Sequence, residues 1–243
     1  MSRWTFRPGR GATVFAVIGF ALLVSLGTWQ LRRRAEAASL RALGEQRLAA
    51  PAFDAAQPPE DPDWRRVRVT GTPDWDHLLV LPSRFMWMQP GQQWIVPVRP
   101  EGGAGRIVLV NVGWVPDDEA EPILARERAL ASPRTYEGLA RIPDPFPAAR
   151  AEGADPAGYP RRWRGVAPGQ MGEALGMDVA PFVVVDGEGI PEAAEIPDRT
   201  PPIGGWRTTL PERPHGQYAL TWYCLAATLL GVWLSISVRR EEV

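Results

Sequence analysis

The chain has 243 residues, 45% of them hydrophobic, and its 27 basic residues, all arginine, stand against 28 acidic ones for a formal net charge of -1. So even a balance excludes the electrostatic footprint of a nucleic-acid binder. The single cysteine, Cys224, excludes an internal disulfide, a C-x-x-C-H haem attachment and any paired-thiolate copper or zinc site.

The apolar residues are concentrated in two segments. Residues 11–31 are 21 positions without a charge and residues 216–238 are 23, and a bilayer core takes about 20 residues of helix. Both are predicted membrane spans. Arg3, Arg7 and Arg10 before the first would suit a secretory signal, but its apolar core is long and no small-residue cleavage site precedes Trp29-Gln30-Leu31-Arg32. An uncleaved anchor is expected. A domain as long as the one between the spans crosses regardless of nearby charge. The expected layout is therefore a cytoplasmic tail over 1–10, a transmembrane helix over 11–31, an extracytoplasmic domain over 32–214, a second transmembrane helix over 215–238 and a cytoplasmic tail over 239–243. Such a layout is expected of a multi-pass protein of a bacterial inner membrane with its main domain in the periplasm.

After the first span, Leu31, Leu40, Leu43 and Leu48 among Arg and Glu predict that the helix continues as an amphipathic stalk until Pro51. The period then changes to two. Residues 66–69 alternate like a half-buried strand, Gly71 and Pro73 mark a turn, and 78–81 is an apolar run. Segments 93–98 and 106–112 are further strands, the first placed at a sheet edge because it carries Pro97. Asp117-Asp118 opens a helix that runs to about Ala131, with Pro122 tolerated near its first turn. Residues 135–141 return to strand character, and 143–160, dense in Pro, Ala and Gly, are a loop. Met171, Ala174 and Leu175 sit at helical spacing before Gly176, and 182–185 is a short buried strand closed by Asp186-Gly187. Five to seven short strands with two short helices predict a β-rich α+β domain, a curled antiparallel sheet or small barrel, between two transmembrane helices.

In this layout the outer ends of both spans lie at one depth. Trp29, Gln30 and Arg33 then approach His215, Tyr218 and Trp222, and the last three share a helix face by their spacing of three and four. Aromatics populate membrane interfaces and arginines snorkel there on their own account. The histidine, one of two in the chain, is therefore the informative residue. It opens the second span, where the positive end of the helix dipole opposes a further positive charge, and a neutral imidazole is what a metal centre requires. Two readings stay open: a hydrogen-bonding cap, or a ligand for haem, with Trp222 or Trp29 against the ring and Arg33 or Arg32 for its carboxylates.

Other features carry weaker readings. Met86 and Met88 place two thioethers near His77 in sequence, a pattern that suits Cu(I). Trp87, Trp94 and Trp206 are either core residues or the docking anchors of a cofactor-free scaffold. Ala227 and Gly231 form a small-residue pair that permits close helix approach. Ser39, Ser83 and Ser132 lie in no Gly-x-Ser-x-Gly, and the glycine-rich residues 101–105 read as a hairpin connection rather than a phosphate loop.

Five pieces of sequence occur in a telling order: Leu26-Gly27-Thr28-Trp29-Gln30-Leu31 with Arg33; Arg68-Val69-Thr70-Gly71-Thr72; Val108-Leu109-Val110-Asn111 with Gly113-Trp114-Val115-Pro116; residues 163–182; and His215 with Tyr218-Ala219-Leu220-Thr221-Trp222. Together they resemble the surfeit locus protein 1 family, membrane factors for assembly of haem-copper cytochrome c oxidase. The resemblance implies two spans enclosing an outward-facing domain with no enzymatic activity. It also implies transient binding of haem a, with delivery to the oxidase's catalytic subunit or stabilisation there, and contact with haem a synthesis or other assembly proteins. His215, as ligand of the haem iron, and Trp222 inherit the family's proposed haem role. Val112 stands where the family has arginine, Glu36-Ala37 where it has a Trp-Lys pair, and Arg213-Pro214 where it has two asparagines.

Overall fold

The computed structural model describes residues 2–101, 105–130, 132–143, 161–189, 198–205 and 214–242. All but Pro143 of the expected loop over 143–160, most of the connection over 101–105, Ala131, Trp206 and Arg213 lie outside the described residues. In chain order the elements are β1 (Ser2–Phe6), α1 (Arg10–Ala49), β2 (Phe53–Asp54), β3 (Arg65–Pro73), β4 (Leu79–Met86) and β5 (Gln89–Pro100). They continue with β6 (Ile107–Pro116), α2 (Ala120–Ala129), β7 (Arg134–Arg141), α3 (Pro168–Leu175), β8 (Val179–Asp186), α4 (His215–Ser237) and β9 (Val238–Glu242). Contacts divide them into two compact units, Met1–Leu43 with Leu210–Val243, and Gly44–Thr209.

The first unit is built on α1 and α4, both long and apolar enough to cross a membrane, with only 11% of the most apolar stretch of each buried. A helix in a water-soluble core would bury most of that surface. Here Phe15, Ile18, Leu22, Leu220 and Ile236 stay exposed, a surface suited to lipid. The helices run antiparallel. Trp233 Nε1 donates to Thr13 Oγ1 at 3.2 Å toward one end, and the Thr28 and Tyr223 hydroxyls meet at 3.2 Å toward the other. Gly27 makes the close approach possible, since a Cβ there would fall 2.8 Å from the Tyr223 ring. Ala219 and Ala226 supply the small, buried positions on α4. The expected pair Ala227 and Gly231 is not used within the chain: Ala227 is exposed and a Cβ at Gly231 would meet nothing. At 100° per residue a helix turns position 227 well away from the line through 219, 223 and 226. Below the pair, β1 and β9 zip antiparallel from Phe6 and Val238 onward, so both chain ends lie on one side of it.

The stalk is present, because α1 continues to Ala49. Leu31, Leu40 and Leu43 remain exposed, so no buried stripe holds it. Its last turn is tied instead through Arg47, which pairs with Asp61 and donates to the Asp63 carbonyl at 2.9 Å.

In the second unit the strands follow the order β2-β3-β7-β8-β6-β5-β4, and a further pairing of β3 with β5 closes five of them into a barrel. The small-barrel expectation holds, with two differences. One is that β8 runs parallel to β6. The other corrects the placing of Pro97, since β5 is an interior strand with partners on both sides. One edge of β5 pairs with β4 as far as Ile95 and with β3 from Val98 onward, so Pro97 falls at the change of partner. Its carbonyl accepts from the Asp74 amide at 2.8 Å. The N and O of one extended residue point the same way, so the missing N–H faces this gap and costs no ladder bond.

Val67, Val69, Val96, Val98, Val108, Val110, Phe182 and Val184 fill the barrel with Trp94, which meets Trp75 edge to face at 6.2 Å. On the outer face Leu109 and Val183 pack beneath Met171 of α3 and Trp163. Every residue of β6 is therefore buried, and its sequence is apolar on both faces rather than alternating, save for Asn111, whose Oδ1 accepts from the Gly113 amide at 3.1 Å. Gly113 in β6 has φ 121°, and the Ile203 backbone stands where its Cβ would be. This opening lets Trp114 exchange backbone bonds with Ile203 at 2.9 and 2.8 Å. Val112 is a buried member of the barrel core.

Asp186 ends β8, and burial raises its carboxyl from 3.8 to about 6 against the pull of the Gly187 and Glu137 amides and the Arg134 charge. A carboxyl raised in the fold favours the folded state fully below its unfolded value, and that contribution is lost as pH rises through its folded value. Asp186→Asn should therefore raise the thermal midpoint at pH 7, with the gain closing near pH 4. Thermal melts at the two pH values check this, and an equal gain at both would contradict it.

Candidate functional site

The helix pair brings the two predicted halves of the site together at the start of α4. His215 is its first residue, after Pro214, and no side chain caps the helix. His215 Nδ1 lies 2.9 Å from Gln30 Oε1, across 185 residues of sequence. An amide oxygen only accepts, so in this pair Nδ1–H is the donor. Both side chains are half-buried.

One turn further along α1, an Arg34 guanidinium nitrogen comes within 3.0 Å of where a Cβ on Gly216 would stand. Gly27, Gln30 and Arg34 are spaced by three and four, so α1 presents a glycine, an amide and a guanidinium to α4 along one face. Arg34 is a further cation at the start of α4, one that sequence reasoning did not name beside Arg33 and Arg32. Arg33 is exposed and bonds Glu36 at 3.0 Å. The spacing from Gln30 was the signal that pointed to its neighbour.

The aromatics divide. Trp29 and Tyr218 are 56% and 55% exposed and turn outward, whereas Trp222 is half-buried. The buried line of α4 passes through Ala219 and Ala226, which places His215 beside the seam and Tyr218 on its outer side.

The copper reading fails on distance. His77 precedes β4, with Nδ1 2.7 Å from Asp74 Oδ2, and Met86 ends that strand. An extended strand rises about 3.3 Å per residue, which sets them roughly 20 Å apart. Among the described residues no group of three or more His, Cys, Asp or Glu could hold a metal ion. Trp94, 1% exposed, is core and not a docking anchor, whereas Trp87 is 54% exposed.

The model of the SURF1 family matches residues 17–227. The chain belongs to the SURF1 family. The match begins inside α1 and ends inside α4, so it contains Gln30, Arg34, His215 and Trp222. A SURF1-like protein of Rickettsia bellii (strain RML369-C) is 24% identical over 223 residues, covering 89% of this chain and 87% of the relative. Surfeit locus protein 1 of Rattus norvegicus is 28% identical over 254 residues, covering 90% and 74%. A SURF1-like protein of Monosiga brevicollis is 28% identical over 233 residues, covering 86% and 81%.

The seam at Gly27 is the contact most sensitive to added volume. Gly27→Leu should cost about 1–3 kcal/mol through overpacking against Tyr223, and Gly27→Ala less. Unfolding of the purified chain in mixed micelles measures both. Equal stability of all three proteins would show that the helices do not meet there.

Proposed function

We propose that this chain is a non-catalytic assembly factor for haem-copper cytochrome c oxidase in a bacterial inner membrane, with its barrel domain in the periplasm. It holds haem a transiently at the membrane interface and delivers it to, or stabilises it in, the oxidase's catalytic subunit. Haem a synthesis or other assembly proteins are the source side of that traffic. Family membership supports the oxidase part of this reading. The hydrogen bond between His215 and Gln30 supports the haem part.

Haem a, when bound, supplies an iron that takes an imidazole nitrogen, an apolar ring and carboxylates that seek cations. The residues at the start of α4 fit those needs. Gln30 accepts a hydrogen bond from Nδ1–H, holds the ring of His215 in one orientation and leaves Nε2 for the iron, as outer partners of metal-binding histidines do. Arg34, beside Gly216, offers a charge for a carboxylate. Trp222, half-buried, is the flat apolar neighbour on the same helix. Trp29 and Tyr218, turned outward, steady the helix ends at headgroup level. One protein ligand is enough to hold and few enough to release.

Full-length protein purified from cells that make haem a should carry a Soret band. His215→Ala should abolish it, and Gln30→Leu should lower occupancy by about tenfold, the usual size of an outer-partner effect. Undiminished haem in His215→Ala would reject His215 as the ligand. A cofactor-free scaffold is the second reading, favoured by the exposed apolar side chains of Phe85, Trp87 and Met88. It requires wild-type protein to capture oxidase subunits while showing no Soret band.

A further inference from the structure

The outer face of the barrel is only partly covered. Ile95, Leu109 and Val183 face outward beneath Met171 and Trp163. Side chains alternate along a strand, so one step further Gln93, Asn111 and Val185 stand on the same face. This second row, with Gly113, is the floor of a cleft instead. Residues 203–205 wall it on the side that β8 has left, where Ile203 pairs with Trp114, and residues 85–87 of the β4–β5 hairpin wall it on the other. Its volume of about 310 Å³ lies at the low end of the roughly 300–1,000 Å³ of small-molecule sites. Gly113, Gly204 and Gly205 contribute no side chain to fill it. The cleft lies wholly within the barrel unit and owes nothing to the α1–α4 pair.

The floor carries a buried donor with nothing to donate to. Asn111 is 7% exposed, and its Oδ1 accepts from the Gly113 amide at 3.1 Å. That bond fixes Nδ2 as the other end of the amide, and among the described residues Nδ2 has no partner. Buried polar groups are otherwise paired, so an acceptor in the cleft is required. Water supplies one but gains nothing from the apolar walls, whereas a carbonyl on an apolar body suits both. The described lining residues carry no charge, so an ion would lose its hydration here without a counter-charge. The acidic turn Asp117–Glu119, just beyond the lining part of β6, opposes an anion further. Trp87 and Met88 form the β4–β5 turn with φ of 48° and 72°, where glycine and asparagine dominate. Trp87 lines the cleft and is yet 54% exposed, which puts its ring at the mouth. Backbone outliers of this kind gather at ligand clamps.

We propose that this cleft binds a small, flat, uncharged molecule through a carbonyl group, with Asn111 Nδ2 donating to the carbonyl oxygen and Phe85 and Trp87 against its apolar body. The test uses the full chain in detergent micelles, labelled with 5-fluorotryptophan, and benzamide, benzoate and benzamidine as probes of one shape and three charges. The fluorine signal of residue 87, assigned by its loss in Trp87→Phe, should shift saturably with benzamide. Benzoate and benzamidine should bind at least about tenfold more weakly, because an unpaired charge resists leaving water. Trp29 on α1 reports partition of each probe into the micelle and should show no saturation. Absence of a saturable shift at 87 would overturn the proposal, and so would equal affinity for either charged probe. Asn111→Asp keeps an oxygen for the Gly113 amide and removes the donor, so it should lower benzamide affinity about tenfold while the signal of Trp94, in the barrel core, stays in place. Undiminished affinity with that signal in place would remove Asn111 from the site and end the idea. The comparison of the three probes needs no variant, so it decides the matter however Asn111→Asp folds.

Discussion

Close antiparallel packing of α1 against α4 is the contact on which the site depends. Between helices in lipid there is no hydrophobic drive, so shape and a few hydrogen bonds must set their register. Here the hydrogen bonds are Trp233 to Thr13, Tyr223 to Thr28 and His215 to Gln30, and the shape is Gly27 under the Tyr223 ring. A slide of one turn would break all of them together. The same register that seats Tyr223 on Gly27 brings the Gln30 amide oxygen to Nδ1 of the His215 imidazole.

Closure governs the domain in a comparable way. A five-stranded barrel leaves little room, and β5 must serve β4, β6 and β3. It does so by changing partner at Pro97, a residue with no amide to satisfy. At the α2 side, Glu127 is buried between Arg126 and Arg134, with oxygens 2.8 and 2.9 Å from the two guanidinium groups. A buried carboxylate persists only with such partners. At Asp186 burial outweighs the Gly187 and Glu137 amides and the Arg134 charge, and the carboxyl is raised.

Much of this was legible in the residues. The two spans, the helix running on to Ala49, the strand character of 66–69, 106–112 and 182–185, and the short helix before Gly176 all rest on local period and local stops. Trp94 and Trp87 were alike in sequence, and only burial told core from surface. Placing Pro97 at an edge applied a sound rule without the exception that a barrel creates. His77 and Met86 looked close because an extended strand hides its length in a one-letter string.

The sequence by itself determined the elements, because apolar period, glycine and proline act within a few residues of where they stand. It also determined that a histidine opens one span and a glutamine closes the other. Only the tertiary structure decided which faces meet: Arg34 rather than Arg33 beside α4, Ala219 and Ala226 rather than Ala227 and Gly231 in the seam, and Trp87 outside while Trp94 is inside. The reason is physical. A periodic pattern records that a face is covered, but what covers it depends on contacts between residues far apart in the chain.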